Sequence, residues 1–157
     1  MIRDAINTAF RKKEERGWDN WPKVFWAIDL HDVIIPGNYT RNNDDKDFYP
    51  CAQKVLQWLT NREDMCLILF TCSHDEATKS ILEWLEDRKI RFDYVNENPE
   101  CADSELCTFK NKFYFDILLE DKAGFNGVSD WYNIVNSLNA LGEWSKKKSH
   151  SDTLEYV

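Results

Sequence analysis

The sequence lacks any run of 18 apolar residues, which is about the length that a membrane-spanning helix needs. Its first segment, MIRDAINTAFRKKEERG, is charged throughout and lacks the apolar block of a secretory signal peptide. The five cysteines form no Cys-x-x-Cys pair, and their odd number does not suit a disulfide framework. We therefore expect a cytoplasmic protein with free, buried thiols and no membrane partner.

Positive charge is also scarce, because 20 Lys and Arg residues stand against 28 Asp and Glu residues and give a net charge of −8. Nonspecific binding to nucleic acid depends on a surface rich in Lys and Arg. The charge balance therefore argues against nucleic acid as a general partner, while it leaves a phosphorylated nucleic-acid end as one class of substrate. A zinc site drawn from His31, Cys72 and His74 has no recognisable metal-binding spacing.

Apolar and aromatic residues are plentiful, with 43% hydrophobic residues and seven Trp in a chain of 157 residues. This composition is typical of a folded protein, and the length suits one domain rather than two. We expect a single domain over residues 1–144, with an N-terminal helix over residues 1–17 that ends at Gly17, and a polar tail over residues 145–157. The domain is compatible with a homo-oligomer.

Apolar runs alternate with stretches of helical periodicity along the chain. The pattern predicts strands at Val24–Ile28, Met65–Phe70, within FDYVN and within FYFDILLED, and helices at Cys51–Thr60, after Ser73 and at Trp131–Leu141. Ser73 and Glu76 have the spacing of a capping box. The alternation predicts an α/β fold, a three-layer doubly wound, Rossmann-like and mostly parallel sheet.

Polar residues follow three of the predicted strands. They are Asp29 with His31, Thr71 with Ser73, and Glu120 with Asp121, and Lys112 precedes the last strand. Because the carboxyl ends of parallel strands share one edge of a sheet, these groups can converge on one pocket. Carboxylates are the ligands that Mg²⁺ prefers, and a hydroxyl with an ammonium can hold a phosphate, so the pattern predicts phosphoryl transfer.

Four of these segments resemble the motifs of the haloacid dehalogenase (HAD) superfamily of phosphohydrolases, in the same order. IDLHDVI resembles the first motif, Asp-x-Asp-x-(Thr/Val), with Asp29, His31 and Val33; LILFT resembles the second with Thr71; KFYFDILLEDKAGF resembles the third and fourth with Lys112, Glu120 and Asp121. The resemblance covers about residues 24–125. No single motif is specific, whereas the ordered set of four is considerably more so.

The resemblance implies a HAD-like fold and a Mg²⁺-dependent phosphomonoesterase. Asp29 would be the nucleophile and a metal ligand, His31 the general acid and base with its backbone carbonyl on the metal, and Glu120 or Asp121 would complete the metal shell. The transferring phosphoryl group would be bound by Thr71, Cys72 and Lys112. Neither the loop Pro36–Pro50 nor the interval around Pro99–Phe109 is long enough for a large cap domain.

The sequence departs from the family pattern at two positions. His31 stands where the second Asp of the first motif acts as acid and base, and Glu120 stands where the fourth motif opens with Asp. Histidine is chemically suited to both proton transfers near neutral pH. Asp32 is a rival acid, but it lies one residue further from Asp29 than the motif requires, so we favour His31.

The substrate that fits best is a small phosphomonoester, because Asp44, Asp45 and Asp47 would repel a polyanion. The alternative is a noncatalytic or weakly active phosphate-binding or protein-interaction module on the same fold. Four Trp residues could form its interface or could instead pack the terminal helices onto the sheet: Trp18, Trp21, Trp131 and Trp144. Taken singly, Thr71 and Ser73 are typical of a helix start, and Lys112 of an exposed surface lysine.

Overall fold

Helices alternate with the strands of one parallel sheet in the computed structural model, which describes residues 1–16, 21–37 and 46–146. The helices are α1 (Ile2–Arg16), α2 (Ala52–Thr60), α3 (Asp75–Glu86) and α4 (Asp130–Ala140). The strands are β1 (Val24–Asp29), β2 (Met65–Phe70), β3 (Tyr94–Val95) and β4 (Ile117–Leu119), and a short 3₁₀ helix follows at Asp121–Ala123. Gly17, Trp18, Asp44, Asp45, His150 and the rest of the tail beyond residue 146 lie outside the described residues.

The strand order is β3-β2-β1-β4, and every neighbouring pair is parallel. The predicted α/β fold with a parallel sheet is therefore confirmed. β1 lies in the interior of the sheet, which explains why Val24–Ile28 is a continuous apolar run that is fully buried. The described residues include no helix that is long and apolar enough to span a membrane.

The two outer strands are shorter than the predicted apolar runs, because an aspartate side chain closes the ladder before each of them. The carboxylate of Asp93 accepts the backbone N–H of Leu67 at 2.9 Å, just before β3. Asp116 accepts the backbone N–H of Phe25 at 2.9 Å, just before β4, and also binds the Arg16 guanidinium. Each aspartate also donates its backbone N–H at 2.8 Å, Asp93 to the Leu67 carbonyl and Asp116 to the Phe25 carbonyl, so the side-chain bond stands where the next backbone bond of the ladder would lie.

Different parts of the chain pack on the two faces of the sheet. Val24, Trp26 and Ile28 point into a large apolar core to which all four described helices contribute side chains. Phe25 points to the opposite face, where it joins a smaller cluster with Cys66, Ile68 and Cys101. The segment around Asn98–Asp116 covers this second face without forming a helix. The third layer of the predicted three-layer fold is therefore an irregular segment rather than a layer of helices.

The structure decides between the two alternatives for two of the tryptophans and corrects the expectation that the cysteines are buried. Trp131 is fully buried in the main core rather than available for an interface, and Trp144 is partly buried and stacks on Trp58. All five cysteines are free as expected, but only Cys66 and Cys101 are buried, whereas Cys51, Cys72 and Cys107 are exposed. Trp131 is therefore a core residue, and Trp144 packs at its edge.

Candidate metal and phosphate site

Three carboxylates meet at the carboxyl edge of the sheet. One side-chain oxygen each of Asp29, Glu120 and Asp121 lies within 4.8 Å of the others, and all three residues are partly buried. Asp29 is the last residue of β1, and Glu120 directly follows β4. The structure therefore brings together the three side chains that the sequence predicts as metal ligands.

Sheet register explains why residues about 90 positions apart in sequence become neighbours. β1 and β4 pair in parallel, with Ile28 opposite Leu119, so the next residues, Asp29 and Glu120, leave the sheet side by side. On the other side of β1, Asp29 pairs with Phe70, the last residue of β2. The segment with Thr71 and Ser73 thus begins next to Asp29.

Burial raises the pKa of the Asp29 carboxyl above its usual range. The backbone N–H of Leu30 donates to Asp29 Oδ1 at 2.8 Å and opposes the shift, whereas the charges of Asp121 and Glu120 and a hydrogen bond with Asp121 add to it. Three neighbouring carboxylates repel one another, so a cation among them would favour the ionised form of Asp29.

Local turns fix the two acids that follow β4. Glu120 is the N-cap of the 3₁₀ helix, where its Oε2 accepts the backbone N–H of Ala123 at 2.8 Å. The helix ends at Gly124, whose φ of 102° is the left-handed conformation that glycine adopts at low cost. The turn holds Glu120 and Asp121 at the strand end, one capping the helix and the other beginning it.

His31 and Asp32 lie in a compact turn that follows β1. The His31 side chain is exposed, and its backbone forms a bridge to Ile35. Asp32 has a φ of 63°, and its Oδ1 accepts the backbone N–H of Gly37 at 2.8 Å. Burial and the charge and hydrogen bond of Asp32 raise the pKa of the Tyr49 hydroxyl. Asp32 thus holds its own loop through Gly37 and Tyr49.

Asn96 is a site residue that the sequence analysis did not identify. Its side chain accepts the backbone N–H of Thr71 at 2.9 Å and donates to the Thr71 carbonyl at 2.7 Å. It directly follows β3 and has a φ of 53°, a conformation that asparagine tolerates better than most residues. The signal was its place as the last residue of FDYVN, at the same sheet edge as Thr71.

Thr71 and Ser73 are linked through their side chains. The Thr71 hydroxyl donates to Ser73 Oγ at 3.1 Å and accepts the Ser73 backbone N–H at 3.2 Å. The predicted capping box is wrong, since α3 begins one residue later than predicted, with His74 as its N-cap and no capping bond from a side chain. The Ser73 hydroxyl turns to Thr71 instead, and Cys72 between them is exposed.

Lys112 is exposed, and its ammonium lies 5.6 Å from the centre of the Phe115 ring. The described part of the chain contains no ion pair between Lys112 and Asp29. His31, Cys72 and His74, all within the described ranges, form no metal-binding cluster with one another. The acid cluster and the Thr71 segment are therefore assembled, whereas Lys112 is not joined to Asp29 by an ion pair among the described residues.

No family model matches the sequence, and no curated protein is similar to it. The fold is similar to that of a solved structure, the conserved protein coded by a locus from Bacteroides thetaiotaomicron. The two have a TM-score of 0.57 and 23% sequence identity, and the match covers 82% of this chain and 99% of that one. The likeness is one of fold.

Proposed function

We propose that this protein is a capless HAD-like phosphohydrolase, which cleaves a phosphomonoester through an aspartyl-phosphate on Asp29. The observation that carries the proposal is the meeting of Asp29, Glu120 and Asp121 oxygens within 4.8 Å at the carboxyl edge of a parallel sheet. Ligands of open α/β sheets bind at this edge. The order of the four sequence motifs supports the same conclusion.

The acid cluster suits a hard divalent cation. Its donors are all carboxylate oxygens, which match the preference of Mg²⁺, and the raised pKa of Asp29 reflects burial together with negative charge that a cation would offset. Asp29, Glu120 and Asp121 would hold the ion, with the His31 backbone carbonyl as a further ligand. When bound, Mg²⁺ supplies positive charge to the phosphate oxygens.

In the first half of the proposed reaction, a carboxylate oxygen of Asp29 attacks phosphorus and the bond from phosphorus to the leaving oxygen breaks. The His31 imidazolium donates its proton to that leaving oxygen. The hydrogen bond from the Leu30 N–H to Oδ1 fixes the orientation of the Asp29 carboxylate for this attack. Thr71, held by Asn96, and Cys72 beside it would bind the phosphoryl oxygens.

In the second half, neutral His31 takes a proton from water, whose oxygen attacks phosphorus. The bond between phosphorus and Asp29 breaks, which releases inorganic phosphate and restores both the carboxylate and the imidazolium. His31 is exposed in the turn that follows β1, two residues after Asp29, so its side chain is open to solvent.

A second candidate is the noncatalytic or weakly active phosphate-binding module. The position of Lys112 favours it, because its ammonium lies 5.6 Å from the centre of the Phe115 ring and forms no ion pair with Asp29 in the described part of the chain. A site without that cation would stabilise the negative charge of the transition state less well. In this case the fold and the metal site would be kept while turnover is slow.

The test is phosphate release from 4-nitrophenyl phosphate with Mg²⁺ and with EDTA, for the wild type and for Asp29→Asn. The proposal predicts turnover that requires Mg²⁺ and is lost in the variant. Binding of phosphate without turnover of any phosphomonoester in a broad panel would favour the noncatalytic module. Equal turnover by the wild type and the variant would contradict the role of Asp29.

A further inference from the structure

A cavity of about 620 Å³ lies between the segment that directly follows Asp29 and one face of α3, and its lining begins at Leu30. We call it the α3 cavity. His31 and Ser73 both line it, and Ser73 accepts a hydrogen bond from Thr71, so its wall is continuous with the proposed phosphate site. The volume lies within the range of small-molecule sites, roughly 300–1,000 Å³, and is larger than a phosphate group needs.

Small side chains on α3 create the space. Ala77, Ser80 and Ile81 lie three and four positions apart, so they share the helix face that lines the cavity. A larger residue at Ala77 would extend into the space without touching the acid cluster. α3 is therefore the element that limits the size of a bound molecule.

The lining combines apolar and hydroxyl groups. Leu30, Ile35 and Ile81 are buried and supply apolar surface. Ser73 and Ser80 supply hydroxyls, and the Ser80 hydroxyl has no hydrogen-bond partner within the part of the chain that the structure describes. Such a surface complements an organic group that has both C–H faces and hydroxyls.

Apart from the candidate acid His31, the charged side chains that line the cavity in the described part of the chain are one cation and one anion. Lys46 and Asp47 both line it, so their charges offset each other. A strongly anionic second group on the ligand would meet the Asp47 carboxylate, and a cationic one would meet the Lys46 ammonium. The lining therefore favours a neutral organic group.

We infer that the α3 cavity binds the leaving group of the substrate, and that this group is a neutral, hydroxylated organic moiety of about monosaccharide size. The inference rests on the proposed phosphohydrolase function, and it identifies Ala77 and Ser80 as specificity-determining residues. Neither residue takes part in bond breaking. They determine which phosphomonoesters fit the cavity and so reach Asp29.

The test compares kcat/KM for acetyl phosphate with kcat/KM for a panel of glycerol, pentose and hexose phosphates, all with Mg²⁺. The variants are Ala77→Leu, which fills the cavity, and Lys79→Leu, which places the same side chain on α3 at an exposed position that does not line the cavity. Leucine is a strong helix former, so both variants should fold, which circular dichroism checks.

We expect Ala77→Leu to lower kcat/KM for the best sugar phosphate by about tenfold or more, and to leave acetyl phosphate within about twofold. Lys79→Leu should change neither value. Ser80→Ala should lower kcat/KM for the same sugar phosphate by a smaller factor, because one hydrogen bond to the leaving group is lost.

Two results would overturn the inference while leaving the proposed function in place. The first is an equal effect of Ala77→Leu on kcat/KM for acetyl phosphate and on kcat/KM for the sugar phosphate. The second is hydrolysis of acetyl phosphate without hydrolysis of any member of the hydroxylated panel. Absence of turnover with every substrate would contradict the proposed function itself and the inference with it.

Discussion

The indole N–H of Trp131, on α4, donates to the backbone carbonyl of Val33 at 2.7 Å. Both residues are fully buried, and Val33 lies in the turn that carries His31. The bond therefore connects a helix of the main core to the loop that presents the candidate acid. It gives a structural reason for the burial of a tryptophan near the start of α4.

Trp131→Phe tests what this hydrogen bond contributes to stability and to turnover. The variant keeps an aromatic ring but leaves the buried Val33 carbonyl without its donor, which should lower the free energy of unfolding by about 1–3 kcal/mol. We also expect lower turnover, since the His31 loop loses an anchor. Urea denaturation and steady-state kinetics measure the two effects.

Tyr132→Phe is the matched control for that variant, because Tyr132 is exposed on the same helix. It should behave like the wild type. If Trp131→Phe loses stability but keeps the wild-type kcat, the bond supports the fold without positioning His31.

Asp29→Asn should stabilise the protein when divalent ions are removed. Burial and the neighbouring acids raise the pKa of Asp29 in the folded state, so its ionised form is disfavoured there at neutral pH. Relative to Asp29→Asn, the wild type is destabilised when Asp29 ionises in the folded state. This destabilisation develops as the pH rises from the unfolded pKa through the raised folded pKa. In EDTA the variant should therefore be more stable at pH 8, and the difference should shrink as the pH falls towards about 4, the unfolded value.

Thermal unfolding of both proteins across this pH range measures the difference, and Asp87→Asn serves as an exposed control. Added Mg²⁺ should stabilise the wild type more than the variant. A wild type that is more stable than Asp29→Asn in EDTA at pH 8 would show that the acid cluster carries no repulsion.

His31→Ala should lower kcat by about a hundredfold or more if His31 is the general acid and base. Mg²⁺ affinity should change little, because the variant keeps the backbone carbonyl. Steady-state kinetics and isothermal calorimetry test the two parts. Wild-type turnover in the variant would exclude the role of His31, and higher turnover in His31→Asp would mean that histidine handicaps the reaction.

Asp64 joins three parts of the chain away from the site. Its carboxylate accepts from Lys13 at 2.6 Å and from Arg62 at 2.7 Å, and Arg62 also binds Glu143 at 3.0 Å. Burial would raise the pKa of Asp64, but the hydrogen bonds from Arg62 and Lys13 outweigh it and hold that pKa well below its usual range. The network connects α1 to the end of α2 and to the residues after α4.

Asp64→Asn should lower the free energy of unfolding by about 3 kcal/mol at pH 7, because it leaves the nearly buried cations Lys13 and Arg62 without this partner. A depressed folded pKa contributes stability that is fully present above the unfolded value of about 4 and is lost progressively as the pH falls from there through the folded pKa. Urea denaturation at pH 7 and at pH 3 should therefore give a smaller difference at pH 3. An equal difference at both pH values would contradict the ionic origin of the effect.

The sequence predicts the acid cluster because its geometry depends on two simple properties of the chain. β1 and β2 are apolar runs that end at Asp29 and at Thr71, and the ends of parallel strands share one edge of the sheet. Glu120 follows the run that forms β4, so pairing between β1 and β4 is sufficient to bring it to Asp29.

The missed features depend on contacts that local patterns do not encode. Asn96 holds Thr71 only because β3 pairs with β2, and it needs a left-handed backbone. Ser73 resembles an N-cap, but its hydroxyl bonds to Thr71 in the tertiary structure. The cover on the second face around Asn98–Asp116 has no periodicity, since it is an irregular segment pinned by single contacts such as Arg16 to Asp116.

The central claim is that Asp29 forms a covalent phosphoryl intermediate. The most direct measurement is a rapid quench of the enzyme during turnover with Mg²⁺, followed by borohydride reduction, which converts an acyl phosphate of aspartate to homoserine, and by peptide mass mapping. We predict homoserine at position 29, dependent on both substrate and Mg²⁺. Phosphate release with an unmodified Asp29 at every quench time would contradict the account and would point to direct attack by water.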